Sequence, residues 1–217
     1  MRIAAVVLAG GRSSRFGRDK LAEPIDGHPM LELAIDAVRG MVDEIIVVMA
    51  PEAAEAGESQ VAGEARLSLP RDSRRVHDPR AFEGPLAGVR TGLASTDADL
   101  VLVVGGDMPS MVPAVLRRLV EALELRDAAA GQPAKRDGLQ AADAVTLESG
   151  DDLRPLPMAL CRRPALILAE SLLASGERRL RALPAGLRAV VLEDADWRAV
   201  DPDGKTLRDI DTEADLG

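Results

Sequence analysis

Ile3-Ala4-Ala5-Val6-Val7-Leu8, running into Ala9-Gly10-Gly11-Arg12-Ser13-Ser14-Arg15-Phe16-Gly17-Arg18-Asp19-Lys20, is the stretch on which the reading of the fold turns. A short, unbroken apolar run without polar alternation reads as a strand covered on both faces, the pattern of parallel sheets. The glycines that end it start a loop beyond the carboxyl end of a strand, where an open α/β sheet keeps its ligand crevice. Within that loop Arg12, Arg15, Arg18 and Lys20 are offset only by Asp19. Glycines let backbone N–H groups approach an anion closely and the cations neutralise it, so the loop suits a phosphate, with Arg15 and Lys20 as the candidate contacts. A solvated βα loop with chance arginines is the bland alternative. Within this loop neither Gly-Lys-Ser/Thr nor Gly-x-Gly-x-x-Gly is present, which sets aside the P-loop and the dinucleotide-binding turn there.

Outward from this stretch, two more β-branched runs, at 44–49 and 99–104, read as buried strands. Helical spacing separates them at 30–41, with Leu31, Ile35 and Val38 on one face, at 86–93 after Pro85, and again after Pro113 through Val115, Leu116, Leu119, Val120 and Leu123. The alternation predicts an α/β fold with a Rossmann-like, doubly wound, mostly parallel sheet. Residues 126–139 lose periodicity and read as an exposed loop within a single domain spanning 1–217. Beyond them, 141–147 and 156–160 predict an antiparallel hairpin through Ser149-Gly150-Asp151-Asp152. A helix at 165–173, a strand at 187–192 and a turn-rich tail at 197–211 follow.

Composition narrows the function. With 36 acidic against 27 basic residues in 217, the formal charge of -9 repels a nucleic-acid backbone over most of the surface. There is no Tyr, and two Phe and Trp197 are too few for base-stacking platforms, so the core is aliphatic. Cys161 is the single cysteine, which excludes an intramolecular disulfide and a thiolate metal cage and fits a reducing cytoplasm. No apolar run approaches bilayer length, so no membrane role is expected.

Three further segments complete a pattern with the opening loop: Asp78-Pro79-Arg80-Ala81-Phe82-Glu83-Gly84-Pro85-Leu86-Ala87-Gly88, Gly106-Asp107-Met108-Pro109, and the closing Arg208-Asp209-Ile210-Asp211-Thr212-Glu213-Ala214-Asp215-Leu216. Together, in this order and over nearly the whole chain, they resemble the molybdenum cofactor guanylyltransferase family of nucleotidyltransferases. The resemblance implies that Leu8, Ala9, Gly10 and Gly11 hold the nucleotide through their backbone, that Lys20 meets the phosphates and that Asp78 contacts the nucleotide. It also implies that Gly84-Pro85-Leu86 opens a helix facing the site and that Asp107 binds Mg2+. Pro155-Leu156-Pro157 with Ala159-Leu160 is similar to the family's substrate-side strand, which places Pro157, with Asp209 and Asp211, on the pterin side. Three departures stand out. Met49 lies where members often carry Asn, Asp209 and Asp211 replace common Asn residues, and Glu213-Ala214 replaces Pro-Glu. Asp209 or Asp211 is thereby a candidate second metal carboxylate or an altered pterin contact.

The activity so implied is Mg2+-dependent transfer of GMP from GTP to the phosphate of molybdopterin, or its molybdenum-loaded form, with release of pyrophosphate. The catalytic candidates are Arg15, Lys20 and Asp107. Cofactor-biosynthesis proteins are candidate partners. Gly10 and the Gly84-to-Gly88 segment favour guanine, since cytidylyl relatives usually read Leu-Ala-Ala-Gly and Gly-Leu-Ser-Ser there. Cytidylyl transfer, another phosphorylated acceptor, and a catalytically silent nucleotide-binding or handover module are the alternatives. Plainer roles fit the remaining residues: a helix cap at Asp107 as its bland reading, a satisfied structural group at His77, a turn at His28, a small buried hydrophobe at Cys161, and solvated faces or helix ends for Arg162, Arg163, Arg178, Arg179 and Arg181.

Overall fold

Alternating destinations along β1 (Ile3–Ala9) set the layers: Ala5, Val7 and Ala9 enter one apolar core and Val6 enters the other. The computed structural model describes residues 1–10, 20–51, 69–79, 84–130, 142–150 and 152–210. After β1 come a short 3-10 turn at Lys20–Ala22, a two-strand ribbon of β2 (Pro24–Ile25) and β3 (His28–Pro29), and helix α1 (Met30–Val38). Then follow β4 (Glu44–Met49), β5 (Ser73–His77), α2 (Pro85–Ala94), β6 (Leu100–Gly105) and α3 (Pro113–Ala130). The second half holds β7 (Ala144–Ser149), β8 (Asp152–Cys161), α4 (Arg162–Ala174), α5 (Ala182–Gly186), β9 (Ala189–Leu192), α6 (Asp194–Arg198) and a closing 3-10 turn at Lys205–Leu207.

The main sheet has seven strands in the order β5-β4-β1-β6-β8-β7-β9. β5, β4, β1 and β6 are parallel, β8 runs antiparallel between β6 and β7, and β9 is parallel to β7. Helices cover both faces, as the doubly wound reading requires. Leu31, Ala34, Ile35 and Val38 of α1 join Val115, Leu116, Leu119 and Leu123 of α3 on one side. Leu86, Val89 and Leu93 of α2 join Ala165 and Ala169 of α4 on the other. Trp197 of α6 closes the first core. It is fully buried, its indole N–H donates to the Glu148 carbonyl at 2.8 Å, and the Arg198 guanidinium sits 4.5 Å above its ring.

Helix α2 lies so close to β1 that Gly92 has no room for a side chain: a Cβ there would fall 2.5 Å from Val6 Cγ1. Gly92→Ala gains up to about 1 kcal/mol of helix propensity. It also forces a methyl against a buried, β-branched side chain with little rotamer freedom, a cost of about 1–3 kcal/mol. The overpacking wins, and the midpoint of urea unfolding should fall.

The pairing of Asp143 with Arg188 ties the start of β7 to the start of β9 through two bonds of 2.6 and 2.7 Å. Hydrogen bonding from the Arg188 side chain outweighs desolvation and holds the Asp143 carboxyl below the usual carboxylate range. A depressed folded value means the contribution is fully present above the unfolded value of about 4 and is lost as pH falls through the lower folded one. Asp143→Asn should therefore flatten the acid limb of stability below about pH 4, checked by urea midpoints measured at neutral and acid pH.

Several expectations shift. β5 escaped the sequence reading because Ser73-Arg74-Arg75-Val76-His77 is an edge strand with exposed arginines. Arg74 is held instead by Glu44 of the neighbouring strand at 2.7 Å, and Thr96 donates to the same carboxylate at 2.8 Å. The exposed loop expected at 126–139 is corrected at its start. α3 continues through Ala130, because Arg126-Asp127-Ala128-Ala129-Ala130 contains good helix formers and no breaker before Gly131. The rest of that loop, 131–139, lies outside the described residues. The hairpin forms as expected, with Ser149 paired to Asp152, but β8 begins at Asp152 and the register shifts between Thr146 and Leu147.

Candidate active site

From β1 the chain steps outward to β4 and β5, then crosses back to β6 on the other flank of β1. The carboxyl ends of β1 and β6 therefore splay their following loops apart and leave a crevice, the switch point at which open α/β sheets bind ligands. Register puts Leu8 opposite Gly105, and the Gly106 N–H donates to the Leu8 carbonyl at 2.9 Å. Asp107 thus emerges directly beside the start of the glycine-rich loop.

Lys20, at the far end of that loop, returns to the crevice. Its Nζ lies 3.2 Å from Asp107 Oδ2, with the lysine side chain 11% and the carboxylate 37% exposed. Two residues 87 positions apart, one from each loop, therefore present opposite charges to one point. Gly105 shapes that point and was absent from the sequence candidates: a Cβ there would sit 2.6 Å from Asp107 Oδ1. Its signal was the Gly105-Gly106 pair at the end of an otherwise β-branched strand.

The nucleotide-side candidates gather around the same end of the sheet. Leu8 is half-buried, Ala9 is buried against Met49, and Gly10 is exposed, packed so near the chain at Ala50 that a Cβ would approach its nitrogen to 3.2 Å. Asp78 follows β5 directly; its N–H donates to the Met49 carbonyl at 3.0 Å, and the Thr91 hydroxyl reaches its carboxylate at 3.4 Å. Helix α2 crosses β1 with Gly88 over Leu8 and Gly92 over Val6, so moving back towards Pro85 moves forward along β1. The helix start at Gly84-Pro85-Leu86 is accordingly directed towards the Gly10 end, with Gly84 in a left-handed conformation at φ 84° and Leu86 buried. Met49 packs in the α1-side core, so it lends the crevice only backbone groups.

On the other flank, Val103 pairs with Met158, which brings Pro157 level with the carboxyl end of β6. The tail reaches Asp107 too: the Ile210 N–H donates to the Asp107 carbonyl at 3.0 Å, placing Asp209 next to it as an exposed residue. Gly11, Arg15 and Asp211 lie outside the described residues, as do Arg12 and Arg18. Among the described residues no group of three or more His, Cys, Asp or Glu gathers into a metal cluster. One or two carboxylates at an open position suit Mg2+, which keeps waters and takes the rest of its shell from substrate phosphates. Asp107 stands at such an open position, and the Ile210 bond brings the backbone next to Asp209 up to it.

The plainer readings are also placed. His77 Nδ1 donates to the Ala50 carbonyl at 2.8 Å, tying the ends of β4 and β5 together. His28, expected in a turn, instead pairs with Ile25 in β3, because the turn is made by Asp26 and Gly27 before it. Cys161 is half-buried rather than buried, because it closes β8 at the sheet end, where its thiol meets the Ala142 carbonyl at 3.6 Å. Arg162 opens α4, and Arg178 donates to the Leu173 carbonyl at the end of that helix at 2.9 Å. Glu177, bonded foremost by the Arg179 side chain, has its carboxyl lowered to about 2.

Comparison with known proteins fits this geometry. The family model described as the MobA-like NTP transferase domain matches residues 5–195. The chain belongs to that family. A probable molybdenum cofactor guanylyltransferase of Chloroflexus aggregans is 30% identical over 219 residues, covering 100% of this chain and 92% of that protein. A molybdenum cofactor guanylyltransferase of Burkholderia ambifaria is 32% identical over 91% of this chain and 88% of its own length. Among solved structures, molybdopterin-guanine dinucleotide biosynthesis protein A of Archaeoglobus fulgidus superposes with a TM-score of 0.71 at 22% identity, covering 98% of this chain and 94% of that one. The 4-diphosphocytidyl-2C-methyl-D-erythritol synthase of Anaerococcus prevotii reaches 0.65 at 18% identity, over 99% of this chain and 92% of that one. Such structural likeness carries the fold; enzymes named for different nucleotides share it. No helix among the described residues is long and apolar enough to cross a membrane.

Proposed function

We propose that this chain transfers GMP from GTP to the terminal phosphate of molybdopterin, or of its molybdenum-loaded form, and releases pyrophosphate. The observation that carries the reading is the convergence of Lys20 and Asp107 at 3.2 Å in the switch-point crevice. It is supported by relatives named molybdenum cofactor guanylyltransferase across nearly the whole chain. Residues 1–217 act as one domain on this reading, in the cytoplasm, where other cofactor-biosynthesis proteins handle the same pterin.

The acceptor phosphate is already anionic, so no general base is needed and rate comes from alignment and charge stabilisation. Leu8, Ala9, Gly10 and Gly11 offer backbone groups to guanosine, Asp78 and the start of α2 at Gly84, Pro85 and Leu86 close its other side, and Lys20 with Arg15 holds the triphosphate. Asp107, with Asp209 or Asp211 as second carboxylate, would hold Mg2+, which would supply positive charge against that of the triphosphate. Pro157, Asp209 and Asp211 border the acceptor.

The deciding experiment is pyrophosphate release with each of the four common ribonucleoside triphosphates, with and without molybdopterin, alongside Asp107→Ala. Release with GTP, dependent on the pterin and abolished in the variant, is the expected result. Release with CTP instead would reassign the base; no release with any of them would leave a nucleotide-binding module.

A further inference from the structure

Beyond α6 the chain turns back to the loop that carries Asp107 and grips it at both ends. Asp201 anchors the turn, and it is 2% exposed. Its carboxylate accepts the Lys205 N–H at 2.9 Å and the Thr206 N–H at 2.8 Å, while its carbonyl accepts the Gly204 N–H at 3.0 Å. Thr206 is fully buried, and its hydroxyl oxygen accepts the Val112 N–H at 3.1 Å. Four residues later the Ile210 N–H donates to the Asp107 carbonyl at 3.0 Å. The loop from Asp107 to Val112 is thus held at its first carbonyl and at its last N–H by one short stretch of tail. Met108 and Met111, each 5% exposed, fix its middle in the core.

We infer that Asp201 and Thr206 are positioning residues for Asp107, a role that rests on Asp107 acting as the metal ligand of the proposed reaction. A carboxylate this deeply buried costs several kcal/mol of desolvation unless hydrogen bonds replace its water. Burial pushes the Asp201 carboxyl up, but the Thr206 backbone and hydroxyl and the Lys205 N–H outweigh it and keep the group below the ordinary carboxylate range. An ionised, rigid acceptor presents Thr206 in one orientation, and Thr206 in turn fixes where the loop ends and α3 begins. Gly106 is already tied to Leu8, so the clamp removes the freedom left on the other side of Asp107. The carboxylate then meets a cation without being reoriented, the condition under which charge stabilisation is most effective.

The test is Thr206→Val, which keeps shape and deletes the acceptor for Val112, against Thr206→Ser, which restores it. Amide exchange of residues 106–112 should accelerate about 10-fold in the valine variant, the size one unsatisfied buried N–H carries. β1 and β4 amides should not change. Mn2+ affinity in the presence of GTP, read from free Mn2+ by electron paramagnetic resonance, should weaken several-fold. Turnover should fall about 10-fold with an unchanged KM for GTP. Serine should recover all three. Asp201→Asn, which keeps one acceptor oxygen, supplies the same comparison if the valine variant does not fold. Lower melting temperature with wild-type exchange in 106–112 and wild-type Mn2+ affinity would overturn the inference and leave the clamp as a tie for the tail alone. Failure of the wild-type protein to bind Mn2+ with GTP would instead sink the proposed function, and the exchange rates would still decide the clamp.

Discussion

Asp107→Ala is expected to reduce pyrophosphate release by on the order of 10³-fold while leaving the protein folded. The carboxylate is 37% exposed and its ion pair with Lys20 spans 3.2 Å at the rim of the crevice. Partly exposed pairs of this kind contribute about 1 kcal/mol or less to stability. On the proposed reading, in which this carboxylate would hold the metal, its removal acts instead on the charge of the transition state, where each 1.36 kcal/mol is tenfold in rate. Asp107→Asn should recover little, because it keeps an oxygen and loses the charge. Circular dichroism and the urea midpoint separate the two effects: a variant as stable as wild type but silent supports the assignment, and one with unchanged turnover removes it.

Lys20→Ala should lower kcat/KM for GTP by on the order of 10²-fold, in line with loss of one preorganised charge-stabilising donor. Its side chain is only 11% exposed, so the stem packs while the ammonium faces Asp107. Truncation leaves that carboxylate without its cation, which favours metal binding there and opposes triphosphate binding. The loss should therefore fall on GTP binding and turnover together rather than on metal affinity. Lys20→Arg should not restore activity, since a planar fork does not replace a point charge in a narrow crevice. The double variant Lys20→Ala, Asp107→Ala should be little worse than Asp107→Ala, because on the proposed reading Lys20 and the metal held by Asp107 serve the same phosphates and their effects do not add. Fully additive losses would place the two in separate sites.

The central strands could be read from the chain because β1, β4 and β6 are buried on both faces, and such strands are unbroken apolar runs. Asp107 was legible in position for a related reason: a carboxylate that ends such a run lies at the carboxyl edge of the sheet, where the crevice forms. Lys20 was legible through its neighbours, a cation cluster after glycines. The edge strand β5 was not, because its partner on one side is solvent and its arginines break the apolar signal. Gly105 escaped because the space it leaves for the Asp107 carboxylate exists only once β6 is folded. Thr206 escaped because a side chain that bonds a backbone N–H 94 residues away writes no periodicity and no charge pattern, and Asp201 because its local bonds to the Lys205 and Thr206 N–H groups read only as a turn.

Trp197 gives the molecule a built-in optical gauge. With no tyrosine in the sequence, near-ultraviolet emission comes from this one indole. Dry, roofed by a guanidinium and bonded to Glu148, the ring should emit at short wavelength while α6 stays docked and shift to longer wavelength when it lifts away. Since α6 leads directly into Asp201, that shift reports the carboxyl-terminal stretch peeling from the sheet, separately from the melting of the β1 core.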